Sequence, residues 1–155
     1  LSTSANSLVS NLIGSGGIDN VMKLMNRIAG FSFLIAIGCV CVMAIFPEAF
    51  LAIYTNDGAL ISESVPSVYM IGVAILVASL SNIYFNGISG TGNTRAALFL
   101  ETGTLVVYAI YIFVIGMWTK APVYVCFSTE VLYYGLMFLL SVIYLKKAKW
   151  QNKKI

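Results

Sequence analysis

Hydrophobic positions along this chain fall into long unbroken runs. Four stand out. The first goes from about Ile28 through FSFLIAIGCVCVMAIF, past Pro47 and Glu48, to AFLAIY (28–54). The second contains VYMIGVAILVASLSNIYF (65–88), the third is AALFLETGTLVVYAIYIFVIGMW (96–118), and the fourth extends from Ala121 to Leu145. Each is near the roughly 20 residues that cross about 30 Å of hydrocarbon. None alternates, and each is much longer than an ordinary strand, so the pattern predicts helices. The expected fold is an all-α membrane protein with four complete transmembrane helices. Ahead of them, LSTSANSLVSNLIG reads as the end of a preceding helix, without the basic segment of a signal peptide. The chain is therefore expected to be a fragment of a longer protein.

Composition supports a lipid-facing surface. Of 155 residues, 59% are hydrophobic and only 10% charged, with a mean hydropathy of +0.91. A soluble domain carries roughly 25% charged residues, and this chain has too few polar side chains to cover itself.

Charge placement then predicts orientation. Lys23 and Arg27 precede the first run, Arg95 separates the second from the third, and Lys146, Lys147, Lys149, Lys153 and Lys154 follow the fourth. The intervening connections are TNDGALISES, with Asp57 and Glu63, and a short turn with Lys120. If the spans alternate, the three basic regions share one face, which is expected to be cytoplasmic. Residues 146–155 become a basic cytoplasmic tail, suited to anionic headgroups rather than nucleic acid. Pro47 should end or kink the first span, and Pro66 and Pro122 should begin helices. Trp118 and Trp150 suit the two membrane interfaces.

The sequence argues against an enzyme. There is no histidine, so Ser-His-Asp, Cys-His and H-E-x-x-H arrangements are excluded. Cys39, Cys41 and Cys126 lie in apolar runs and read as packed thiols. The carboxylates form no pair around one bond, and no cofactor is expected. The stretch NGISGTGNTR (86–95) resembles a phosphate-binding loop, but Asn93 stands where the lysine belongs, and a long apolar run replaces the expected strand. Its Gly87, Gly90 and Gly92 suit helix termination, with Asn93 or Thr94 as the next cap.

Function should reside in polar groups inside the spans. Glu130 lies eight positions beyond Pro122, roughly 12 Å along a helix, where a carboxylate must be protonated, paired or facing water. Its face includes Phe127, Tyr134, Met137 and Ser141. Glu101, Thr104, Tyr108 and Tyr111 share another face. Ser79, Asn82, Asn86 and Ser89 form a stripe that should pack between helices or line a cavity. The candidate substrate or ion pathway residues are thus Glu130, Tyr134, Met137, Asn82, Asn86, Ser79, Glu101 and Tyr108. In the first span, Ser32, Ala36 and Gly38 read as close-packing sites.

Taken in order, ANSLVSNLIGSGGIDNV (5–21), FPEAFLAIYTNDGALI (46–61) and SGTGNTR (89–95) make the chain resemble the C-terminal end of a multidrug and toxic compound extrusion (MATE) transporter. The resemblance covers essentially the whole chain, as the end of helix eight through helix twelve. It implies part of a twelve-helix, two-lobe antiporter. That antiporter would export drugs or other organic, often cationic, compounds by alternating access against a proton or sodium gradient. Its implied partners are the N-terminal helices of the same transporter, membrane lipids and small organic substrates, and its implied location is a bacterial inner membrane. The family often carries an acidic ion-site residue at the position matching Ala78. It often has V-G-Q where Val9-Ser10-Asn11 stands, and Arg-Gly-x-Gly-Asp-Thr where Ser89-Gly90-Thr91-Gly92-Asn93-Thr94 stands. The alternative reading is a small membrane subunit or a lipid or polysaccharide flippase-like transporter.

Overall fold

The computed structural model describes residues 2–118 and 122–147, the side chain of residue 118 excepted. The turn at Lys120, the start of the fourth run at Ala121, both tryptophan placements and the tail beyond Lys147 lie outside the described residues. Helix α1 (Ser2–Gly14) stops where Gly16 adopts φ 81°. The Gly17 N–H donates to the Leu12 carbonyl at 2.9 Å and the Gly16 N–H to the Ile13 carbonyl at 3.0 Å. This left-handed glycine cap satisfies carbonyls that the helix end leaves open.

A short 3-10 turn (Ile18–Asn20) leads into α2 (Val21–Ile45). The helix starts well before Ile28, so Lys23 and Arg27 lie in its first two turns. Nothing in VMKLMNR breaks a helix, and Val21 and Met25 are fully buried there. At its far end the expected run of 28–54 is divided. Phe46 leaves the helical conformation, and Pro47 opens a separate short helix, α3 (Pro47–Leu51). Proline lacks the N–H needed to continue α2 but fits a first helical position.

Helix α4 (Gly58–Gly90) corrects two expectations. Asp57 Oδ1 accepts from the Ala59 N–H at 3.0 Å, so the helix begins inside TNDGALISES rather than after it. Pro66 consequently lies within α4 and not at its start. The carbonyl that its missing N–H would have reached belongs to Ser62, an exposed residue. Helices α5 (Thr94–Trp118) and α6 (Val123–Lys147) complete the order.

Helix α4 is the hub, packing on each of α1, α2, α3, α5 and α6. Small residues allow this closeness. A Cβ on Gly90 would fall 2.7 Å from the Asn6 carbonyl oxygen and 2.9 Å from Val9 Cβ. One on Gly87 would strike the Met25 side chain, and one on Gly72 would reach Val40 Cγ1 at 3.2 Å. Ser10 Oγ also donates to the Gly90 carbonyl at 3.0 Å, pinning α1 to α4. Gly87 and Gly90 are therefore packing glycines within α4. Gly92, at φ 77°, makes the turn, and Asn93 Oδ1 accepts from the Ala96 N–H at 3.4 Å to cap α5.

The expectation for Gly38 fails, since a Cβ there would meet nothing within 4 Å. Ala36 is buried, and Ser32 Oγ donates to the Ser79 carbonyl at 3.4 Å. All three cysteines are free but exposed, on outward faces of their helices, because the packed stripes run through other positions.

Contact pairs fix the helix directions. Val40 faces Gly72 and Met25 faces Gly87, so α2 and α4 are antiparallel. Tyr84 meets Phe138 edge-on at 5.4 Å, and Asn93 donates to the Tyr144 hydroxyl, so α4 and α6 run in parallel. Lys23, Arg27, Arg95, Lys146 and Lys147 therefore gather at one end, while Glu48, Asp57 and Glu63 lie at the other. The buried apolar cluster, including Val9, Met25, Ile83 and Ile88, sits at the basic end.

Candidate functional site

Polar groups inside the spans meet between α5 and α6. The Tyr108 hydroxyl donates to Glu130 Oε1 at 3.2 Å. Toward the acidic end, the Tyr111 hydroxyl and Ser128 Oγ stand 3.5 Å apart. Moving up α5 while moving down α6 shows the two helices to be antiparallel. Two more rings close around the pair. Tyr133 meets Tyr108 with centroids 5.5 Å apart and planes at 68°, and meets Tyr134 at 5.1 Å and 76°. Both are edge-to-face arrangements, which the aromatic quadrupole favours.

The supporting positions are tightly held. Thr104 is fully buried and donates to the Leu100 carbonyl at 2.8 Å, and Thr129 is buried and donates to the Cys126 carbonyl at 2.5 Å. Their hydroxyls are thus satisfied within their own helices. Glu130 itself is only half-buried, as are Glu101, Tyr108 and Tyr134. This leaves the carboxylate reachable from outside the helix pair while one of its oxygens is held by Tyr108.

Met137 belongs to a different environment. It shares a helical face with Glu130, but Met137 and Ser141 are buried in helix packing. The face thus changes character along α6, half-open at Glu130 and Tyr134 and closed from Met137 onward. The α4 stripe is also packed or self-satisfied. Ser79 Oγ donates to the Leu76 carbonyl at 2.7 Å, and Asn86 Nδ2 to the Asn82 carbonyl at 2.8 Å. With Ser32 joined to the Ser79 carbonyl, this part of the stripe connects α2 to α4. The Asn82 side-chain amide is half-buried and makes no hydrogen bond among the described residues.

Two features escaped the sequence reading. Tyr133 was not singled out, although its place beside Tyr134 could have suggested an aromatic cluster. Ser81 and Ser141 have fully buried hydroxyls without hydrogen-bond partners among the described residues. Nothing in their spacing distinguishes them from serines that bond their own helix.

Four described helices are long and apolar enough to cross a membrane, with windows of mean hydropathy from 1.6 to 2.6. Their outward faces carry large apolar side chains, including Leu34, Phe99 and Phe113. This is a multi-pass membrane protein, and two of its spans, α5 and α6, carry the carboxylates Glu101 and Glu130. The MatE family model matches residues 1–115, and the chain belongs to that family of multidrug and toxic compound efflux transporters. Its members are transporters rather than enzymes. No curated relative and no solved structure matches the chain.

Proposed function

We propose that the chain forms part of a proton- or sodium-coupled antiporter that exports organic, often cationic, compounds by alternating access. The observation that carries this reading is the Tyr108–Glu130 hydrogen bond inside two membrane spans, with Tyr133 and Tyr134 beside it. A carboxylate in hydrocarbon is costly unless it is paired, protonated or near water, and such groups mark ion and substrate paths. Tyrosine faces add attraction for a cation whose water has been removed. With alanine at position 78, Glu130 is the carboxylate deep in these spans that can respond to a coupling ion, and Glu101, six residues beyond Arg95 and nearer the basic end, is a second candidate.

In this reading Glu130 alternates between a proton or cation and the organic substrate, while Tyr108 holds the empty carboxylate. The remaining helices of the same transporter complete the cavity. The basic end faces the cytoplasm, in accord with the positive-inside rule, in the inner membrane of a bacterium.

The test is to reconstitute the full-length protein in liposomes and follow efflux of a fluorescent organic cation under imposed proton or sodium gradients. Export driven by one gradient is expected. If neither gradient drives it, antiport is rejected.

A further inference from the structure

At the basic end, an open groove of about 760 Å³ separates α1 from α2. Its charged lining is entirely positive: Lys23 and Arg27, one helical turn apart and both exposed. Neither makes an ion pair or hydrogen bond among the described residues. The neighbouring acid Asp19 is exposed on the 3-10 turn and does not line the groove. The amides of Asn11 and Asn20 add donors, and the Asn20 side chain does not cap α2. Ser15 also lines the groove, with its hydroxyl donating to the Leu12 carbonyl at 3.0 Å, and Leu8, Leu12 and Leu24 form the apolar part of the wall.

We propose that this groove binds an anionic phospholipid, with its phosphate between Lys23 and Arg27 and an acyl chain along the leucines. The mixed lining selects this occupant. Two unpaired cations with nearby amides match a phosphate, whereas a free phosphate leaves three leucines without use. The location matches as well, because the groove lies at the end of a membrane span where headgroups sit. Arg95, Lys146 and Lys147 occupy the same end and add to the local attraction for acidic lipid. The site is separate from the Tyr108–Glu130 pair, so the proposal goes beyond the transport reading.

Native mass spectrometry of the full-length protein in mild detergent tests it, with phosphatidylglycerol and phosphatidylcholine as probes. Phosphatidylglycerol should be retained in preference to phosphatidylcholine. The K23Q/R27Q variant should weaken that retention by about fivefold for each cation removed, while K23R/R27K keeps it. Leu8→Asn, at an exposed position, should weaken it separately without disturbing the core. The K146Q/K147Q variant, which changes only the surrounding field, should weaken retention less than K23Q/R27Q does. Equal retention of the two lipids overturns the proposal, as does insensitivity to K23Q/R27Q. Displacement of phosphatidylglycerol by millimolar inorganic phosphate assigns the groove to a free anion and also overturns it. None of these readings depends on transport.

Discussion

Tyr108 and Glu130 are joined across the α5–α6 contact by a hydrogen bond of 3.2 Å, with Thr104 and Thr129 buried on the same two helices. If the pair works as a unit, its variants will not be additive. Tyr108→Phe and Glu130→Gln should each lower gradient-driven efflux by about tenfold or more, and the double variant should be no worse than Glu130→Gln. Initial efflux rates from liposomes measure this cycle. Independent, multiplying losses would show that the two residues act separately.

Gly90 should tolerate no side chain. The Cβ of Gly90→Ala would fall against the Asn6 carbonyl and Val9, and both are held by helix backbone. Overpacking of this kind costs about 1–3 kcal/mol, and α1 should loosen from α4. Thermal unfolding in detergent should show a clear drop in Tm. Gly38→Ala, with nothing within 4 Å, should be neutral or slightly stabilising.

Ser81→Ala and Ser141→Ala should behave unlike most buried polar substitutions. Their hydroxyls have no partner among the described residues, so removal takes away a desolvated group without breaking a bond seen there. Stability should stay within about 1 kcal/mol of the parent or rise. A loss of several kcal/mol would mean that each hydroxyl holds a bound water or ion.

Asp57→Ala should shorten α4 at its acidic end. The cap to the Ala59 N–H is worth about 1 kcal/mol, and Pro66 already interrupts the ladder a little further on. Hydrogen exchange at residues 59–62 should accelerate while the α4 segment near Ile83 stays protected.

Much of this architecture was legible in residue pattern. Runs of apolar residues longer than any strand demand helices, since lipid offers no partner for an open backbone. Helix ends were harder to read, because they depend on a few local contacts. Asp57 as a cap placed Gly58–Ser64 in a helix that composition assigned to a connection, and Pro66 moved inside it. Pro47 was read correctly as a break, but the pattern could not show that a second short helix follows.

The candidate site was legible in part. Glu130 and Tyr108 could each be singled out as polar groups in apolar spans, but their pairing required the antiparallel α5–α6 contact. Met137 and Ser79 looked equivalent to them in the sequence. Packing separated Met137, because the α6 face that is half-open at Glu130 is closed at its level, and Ser79 is set apart by its bond to the Leu76 carbonyl of its own helix.

The loop from Asn86 to Arg95 shows where the division lies. By itself the sequence determined that the chain is helical, that it lies in a membrane and that its cations mark the boundaries of its spans. These follow from hydrophobic length and charge, which are local properties. Only the tertiary structure decided that Gly87 and Gly90 are contact points against Met25 and Asn6, while Gly92 alone makes the turn. A glycine can serve a turn or a close approach equally well, and which one it serves depends on the neighbour that folding brings to it.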